Sequence, residues 1–332
     1  MKIAMIEVSH WHTSIYVKAL MKMKVSIVGV SDRDENIARK ISSHLDCKWY
    51  QNYQLLINNE KPDFVFAFGR HCEMPSIAEY LIKKQIPFAM EKPMGVTVYD
   101  IENIMKMNKR YRNFIAVPFV FRYSPIINKI ECLKSLNIFG KITHLYFRFI
   151  AGPPTRYLEA NSAWMLDSNQ AGGGCTINLA VHFIDLFYYL VGSQNVKEIY
   201  AALSNLKYKT DIEDFSTIVL RTNQNVICII ETGYAYPVTT SSLRDIDYCL
   251  TTTNGYLEIR EEELRWFSHD GKKIKEKIGT ATEDYYPVFI ERTLEAYRKN
   301  KKPSASINEM YKVMKIVDAA YKSNKSKKII KL

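Results

Sequence analysis

The sequence predicts an α/β fold, an open doubly wound parallel sheet followed by an α+β domain whose sheet is open and mostly antiparallel. Three observations carry this expectation. Short apolar runs alternate with amphipathic helical patterns over roughly the first 117 residues, the signature of βαβ units. After Pro118 the alternation gives way to successive strands joined by turn residues, which implies hairpins. Between the two lies Ala171 to Gly192, three glycines followed by a nearly all-apolar helical run, which must be buried.

In order, Lys2 to Val8 reads as a buried strand and His12 to Met23 as a helix; Val25 to Val30 is a strand and Glu35 to Leu45 a helix. Asn52 to Asn58 is helical, Asp63 to Phe68 a central strand, Glu73 to Lys84 a helix, Pro87 to Met90 a strand, Val98 to Tyr111 a helix and Phe114 to Val117 a strand. Such a sheet is a dinucleotide-binding architecture. The second part begins with a helix at Pro125 to Leu136 and strand-like alternation over Lys141 to Ile150. Further strands follow at Val196 to Leu203, Phe215 to Arg221, Val226 to Thr232, Ile246 to Thr253, and Tyr256 to Phe267 with a break near Glu261. Helices at Tyr286 to Lys299 and Ile307 to Ser323 complete the chain. The expected division is residues 1–120 for the dinucleotide-binding domain and 121–332 for the α+β domain, to which the family resemblance set out below assigns substrate binding and oligomer contacts.

Composition excludes several classes. With 332 residues, 47% hydrophobic and 24% charged, the chain has the make-up of a globular protein with room for two cores. No run approaches the ~20 apolar residues of a membrane span, and Glu7 interrupts the start too early for a signal peptide, so a cytoplasmic protein without membrane contact is expected. Six scattered cysteines without a C-x-x-C pair argue against a zinc site or a disulfide framework. The net charge of +11 is partly in the tail from Lys322 to Lys331 and otherwise mixed with acids. It is read as a field for anionic small ligands rather than for nucleic acid.

Within the buried run the polar exceptions are Asn178, His182 and Asp185, spaced to share one helix face. A buried polar stripe is either a closed hydrogen-bond network or the wall of a site. Glu91-Lys92-Pro93 follows a strand end, where ligands of open α/β sheets sit. Together with Gly172-Gly173-Gly174, Asn178, His182, Asp185, Gly192, Arg122-Tyr123-Ser124-Pro125 and the Trp164 segment, it resembles the glucose-fructose oxidoreductase / inositol dehydrogenase / rhizopine catabolism (Gfo/Idh/MocA) family of NAD(P)-dependent oxidoreductases. The resemblance implies a Rossmann domain and hydride transfer to or from a sugar, polyol or related small molecule. It also implies a homo-oligomer, dimer or tetramer, and places Lys92 and His182 beside the reacting carbon, with Asn178 where many members carry aspartate.

The chemistry of those residues agrees. Hydride transfer from a carbinol leaves a proton to remove. His182 is read as the acid/base and Lys92 as the electrophilic partner, the reverse being open; Asn178 holds a hydroxyl or fixes a tautomer. Candidate cofactor contacts are Glu7, Ser9, His10, His12, Asp32, Arg33, Gly69, Glu91 and Lys92; candidate substrate contacts are Arg122, Trp164, Asp185 and Tyr157. Asp32, about 20 residues beyond His12, favours NAD(H) over NADP(H). The main departure is the phosphate turn, where the three glycines of Gly-x-Gly-x-x-Gly are replaced by Glu7, Ser9 and His12. A carboxylate there repels phosphate unless it turns away or is neutralised by His10, His12 or Lys18. Met74 also stands where the family usually has a histidine, with His71 three residues earlier. Three readings follow: an active NAD(H)-dependent enzyme; a non-catalytic relative that binds a ligand or stabilises a subunit; and, least favoured, a metal site at Glu7, His10 and His12. The last lacks a clear further ligand, so no metal is expected.

Overall fold

Six parallel strands in the order β3-β2-β1-β4-β5-β6 form the sheet of the first unit. The elements alternate as β1 Lys2–Ile6, α1 Thr13–Lys22, β2 Ser26–Ser31, α2 Glu35–Leu45, β3 Lys48–Tyr50, α3 Tyr53–Glu60, β4 Phe64–Ala67, α4 Met74–Lys83, β5 Phe88–Met90, α5 Val98–Tyr111 and β6 Ile115–Ala116. The computed structural model describes residues 1–23, 25–192, 195–237 and 244–332. Strand order reverses between β1 and β4, which opens a ligand crevice at their carboxyl ends. The central strands are apolar because helices cover both faces: Ile3, Ala4, Met5, Ile6, Phe64 and Val65 have no exposed surface. Helix starts follow the side chains that satisfy their first amides. Asp34 accepts from the amides of Asn36 and Ile37 at α2, and Thr97 and Asp100 form a reciprocal capping box at α5.

This unit comprises Met1–Pro118, Thr155–Gly172 and Glu283–Lys312, a more interleaved division than a single cut at residue 120. It thereby takes in α7 Thr155–Glu159, α8 Ser168–Ala171 and α10 Tyr285–Arg298. The apolar stripe of α10 lies on the first sheet's layer: α10 packs on α1, and Tyr297 meets the rings of Phe64 and Phe114 at 5.5 and 5.6 Å. Periodicity shows that such a stripe is buried, not which layer buries it.

The second unit, Phe119–Pro154, Gly173–Thr282 and Val313–Leu332, holds a nine-stranded sheet in the order β14-β13-β12-β11-β7-β10-β9-β8-β15. Its elements are α6 Pro125–Ser135, β7 Ile142–Ala151, α9 Val181–Val191, β8 Val196–Ser204, β9 Phe215–Thr222, β10 Ile227–Gly233, β11 Arg244–Thr252, β12 Gly255–Arg260, β13 Glu263–Ser268, β14 Lys273–Lys277, β15 Ile330–Lys331 and, from Val313 onward, α11 Ile307–Ser326. All neighbours pair antiparallel except β7 and β10. Leu145, Phe147 and Phe149 of β7 point inward, and Phe183 of α9 stacks on Phe147 at 5.3 Å.

The strands absent from the sequence reading are β3, β14 and β15. The first spans three residues, and the other two are lysine-bearing sheet edges, where charge blocks further strand pairing. The buried run also differs from a uniform helix. Thr176–Ala180 forms a π turn and only then does α9 begin. The stretch Ser168–Val191, apolar and long enough to cross a membrane, is largely buried inside the fold, as core helices are.

Candidate functional site

In the first unit the site residues gather where β1, β2, β4 and β5 end. Glu7 stands at φ 56, the left-handed conformation that a glycine adopts freely and other residues adopt at a cost of order 1 kcal/mol or more. Its carboxylate is nearly buried, and its closest cation is Arg33, Nε 3.7 Å from Oε2. The neutralising partner is therefore Arg33 and not the expected His10, His12 or Lys18, because Arg33 leaves β2 beside the turn while also reaching Glu73 at 2.6 Å. Burial, reinforced by Asp32 and opposed by Arg33, pushes the Glu7 carboxyl up to about 7.

Asp32 has no exposed surface and accepts from the Ser9 amide at 2.6 Å and the Asp34 amide at 2.9 Å. Burial raises its pKa while these amides hold it down. It therefore ties the turn to β2 in this structure, a second task beside the ribose contact expected of it. Gly69, at φ 105, packs against Glu7, with 3.6 Å between a Cβ built there and Glu7 Cβ. The helix behind the turn, α1, receives no side-chain cap from His12, although the amides of Thr13 and Ile15 already donate to the His10 and His12 carbonyls. A left-handed first residue, an uncapped helix start and an acid ending β2 are the elements a dinucleotide requires, so the residues present fit one, with the Glu7 carboxylate as the opposing feature.

The Glu7 shift has a testable sign. Because the folded state holds this carboxyl protonated above its ordinary value, the stability it contributes is complete at acid pH and is lost as pH rises through about 7. In Glu7→Gly the decline in Tm across that window flattens, and NADH binds about 10-fold more tightly as repulsion from the phosphate turn is removed. An unchanged Tm profile together with unchanged affinity would refute this account of Glu7.

His10 and His12 are almost wholly buried. Their rings lie 5.1 Å apart, and Trp11 covers His12 at 3.7 Å. His12 Nδ1 is 3.1 Å from Glu91 Oε2, and both its ring nitrogens are 3.0 Å from the Tyr286 hydroxyl. Desolvation drives both imidazoles well below their usual pKa and raises that of Glu91. His71 holds the Ala171 carbonyl at 2.7 Å, and burial brings it down to about 3. Lys92, 2% exposed, follows Glu91 and precedes a cis peptide bond to Pro93. Burial lowers its ammonium to about 8, with Glu91 opposing and Arg156 assisting.

Two of the expected substrate contacts are packing residues of this unit. Tyr157 has no exposed surface and its hydroxyl meets Arg156 at 2.8 Å. Trp164 packs against the rings of His10 and His71 at 5.8 and 4.9 Å. Met74 is also fully buried.

In the second unit the triple glycine has a steric cause. A Cβ at Gly174 would stand 1.9 Å from the Glu213 carbonyl, and one at Gly173 1.9 Å from the Tyr321 hydroxyl. The glycines let the chain approach Glu213, whose carboxylate accepts from the amides of Gly174 and Thr176 and from the Tyr321 hydroxyl, each at 2.9 Å. That carboxylate caps the π turn and suits its positive end. Among the acids of Asp211-Ile212-Glu213-Asp214, nothing in the sequence marks it.

Asn178 lies in the π turn, with Nδ2 donating to the Tyr234 hydroxyl at 3.1 Å. π turns recur at functional sites. His182, 5% exposed, sits against Phe121 at 5.1 Å and Phe119 at 6.3 Å. Asp185 and Arg122, the remaining expected substrate contacts, instead pair with each other: Nε to Oδ2 is 2.7 Å and Nη2 to Oδ1 is 2.6 Å. A bidentate pair of this kind uses the charges that a substrate would need. The sequence also offers the loop from Tyr234 to Arg244 as a lining for the substrate; its residues 238–243 lie outside the described residues.

A six-stranded parallel sheet with this switch point is a dinucleotide-binding architecture, and the comparisons with known proteins agree. Residues 1–119 match the model described as oxidoreductase family, NAD-binding Rossmann fold, and residues 135–258 match the GFO/IDH/MocA C-terminal domain. The chain belongs to the Gfo/Idh/MocA family of oxidoreductases. It is similar to D-apiose dehydrogenase of Paraburkholderia graminis, 21% identical over 92% of this chain and 83% of that one. It also resembles glucose-6-phosphate 3-dehydrogenase of Bacillus subtilis, 24% identical over 58% of this chain. The chain spans only 54% of the latter and 32% of another Bacillus subtilis oxidoreductase that it matches. Among solved structures, an Agrobacterium radiobacter oxidoreductase in complex with NAD+, L-tartaric acid and magnesium superposes with a TM-score of 0.88 at 16% identity, covering 100% of this chain and 98% of that one. Myo-inositol 2-dehydrogenase of Lactobacillus plantarum gives 0.83 at 18%, covering 100% and 99%. At such identities the structures establish the fold.

Proposed function

We propose that the chain is an NAD(H)-dependent oxidoreductase that transfers hydride between nicotinamide and a carbinol or carbonyl carbon of a sugar, polyol or related compound. The observation that carries this reading is Lys92, a buried lysine lowered to about 8 at the end of β5, in a family whose first domain binds NAD. A nicotinamide cofactor, when bound, would supply the hydride-transfer chemistry. His182 takes the hydroxyl proton when a carbinol is oxidised and returns it when a carbonyl is reduced. The Lys92 ammonium stabilises charge developing on the substrate oxygen. Asn178, held by Tyr234, orients a substrate hydroxyl.

A second reading has an observation of its own. The Glu7 carboxylate lies at the phosphate turn and the Ser9 amide is already held by Asp32, features that suit a relative that binds a ligand without the cofactor. Titration with NADH, read by nicotinamide fluorescence, and then with NADPH separates the two. The oxidoreductase reading requires saturable NADH binding, with Asp32→Ala weakening NADH about 10-fold and NADPH less. Absence of NADH binding at millimolar cofactor by folded protein supports the second reading. Equal losses for both cofactors remove Asp32 from the ribose.

A further inference from the structure

The turn that replaces the glycine loop brings two imidazoles and a carboxylate together. His10, His12 and Glu91 are all buried, and one ligand atom from each lies within 4.8 Å of the others. His12 Nδ1 and Glu91 Oε2, 3.1 Å apart, are spaced like two ligands on one edge of a tetrahedral metal site, where metal–ligand bonds are about 2.0–2.2 Å. A separate observation concerns the carboxylate. Both oxygens of Glu91 are buried and lack a hydrogen bond of sound geometry, with the His12 imidazole 3.1 Å away and the Tyr16 side chain and Lys92 amide also acting on the group. Buried carboxylates are ordinarily paired, hydrogen-bonded or bound to a metal.

We propose that His10, His12 and Glu91 form a binding site for one divalent transition-metal ion of the zinc, cobalt or iron type. Two imidazoles and one carboxylate are a recognised donor set for such ions, and three protein ligands leave a position open for water. Calcium and magnesium prefer all-oxygen surroundings. The tautomer of His10 is suitable as it stands. Its Nδ1 accepts the His12 amide at 3.2 Å, so the lone pair is at Nδ1 and an ion there displaces only a long amide contact. The ion ties the start of α1 to the end of β5 and compensates Glu91, which stiffens a turn that lacks its glycines. The metal reading of the sequence placed Glu7 in this set. Glu91, some 80 residues further along, is the carboxylate that the parallel sheet brings to the histidines.

The test uses the full chain without an affinity tag, stripped by chelator and titrated with CoCl2. Visible d–d absorption reports the coordination, and metal analysis after ZnCl2 loading and dialysis reports the stoichiometry. No cofactor or substrate is present, so the result does not depend on the oxidoreductase reading. One equivalent of cobalt giving a low-symmetry d–d spectrum, at least about 10-fold weaker in His10→Asn and in Glu91→Gln, supports the site. Uptake must also survive replacement by asparagine of the exposed His44, His144 and His269. Absence of stoichiometric uptake overturns the site, as does uptake that folded His10→Asn and Glu91→Gln leave unchanged. Should the core variants not fold, X-ray absorption of the cobalt-loaded native chain decides: two imidazoles and a carboxylate support the site, and any other ligand set overturns it.

Discussion

Lys92→Ala is expected to lower turnover ~100-fold or more while NADH still binds, and His182→Ala to do the same. General acid–base and oxyanion-stabilising groups are each worth about 10²–10⁴ in rate, and a 100-fold loss corresponds to about 2.7 kcal/mol of transition-state stabilisation. The two roles separate in the pH profile. If Lys92 works as the ammonium, activity must fall as pH rises through its value of about 8. Lys92→Arg, which stays charged at any working pH, then retains residual activity and loses that alkaline limb. If Lys92 is instead the base, activity rises through the same region, and the assignments of Lys92 and His182 exchange. Near wild-type turnover in either alanine variant would end the proposal for that residue. The measurement is steady-state kcat and kcat/KM across pH on a sugar or polyol substrate found by screening, with NADH titration of each variant to show that the cofactor still binds.

The residues differ in how far their partners could be read from the chain. The position of Lys92 just past β5 was legible because a proline after a short apolar strand fixes where the strand stops, and strand ends are where such sheets bind ligands. The helices α2 and α5 were legible to the residue because Asp34 and Thr97 cap them locally. The short β3 and the edge strands β14 and β15 were not, since an apolar pattern needs a buried face and these strands have little of one. Long-range partners were the least accessible. Glu91 beside His12, Tyr286 on the same imidazole, and Glu213 beneath Thr176 depend on which strand adjoins which and on which layer α10 covers. No local spacing encodes those facts. The stripe of Asn178, His182 and Asp185 shows the intermediate case. The burial was read correctly, but the π turn changes the stacking, and the hydrogen-bond partners of Asn178 and Asp185, Tyr234 and Arg122, lie far away in sequence.

Arg122→Met should lower the folding stability of the chain by about 3–5 kcal/mol, the penalty for leaving a buried charge without its partner. The Arg122 and Asp185 side chains are 8% and 2% exposed, so solvent screens the pair little, and both hydrogen bonds of the fork are short. The guanidinium also lies 5.0 Å from the centre of the Tyr189 ring, so the substitution removes a cation–π contact in addition. The double variant Arg122→Met with Asp185→Leu carries no orphaned charge and should recover most of the loss, since a buried ion pair exchanged for apolar groups of similar volume is often neutral. Denaturant midpoints of the two singles and the double form a cycle that isolates the pair term. A single-variant loss below about 1 kcal/mol, the scale of an exposed pair, would show that water reaches these charges. The same variants bear on the site, because Asp185 lies one helical turn from His182 on α9. If the pair only holds α9 to the Val120–Tyr123 turn, the double variant, once stable, keeps its kcat. A lasting fall in kcat with stability restored would instead show that the ion pair sets the position of His182.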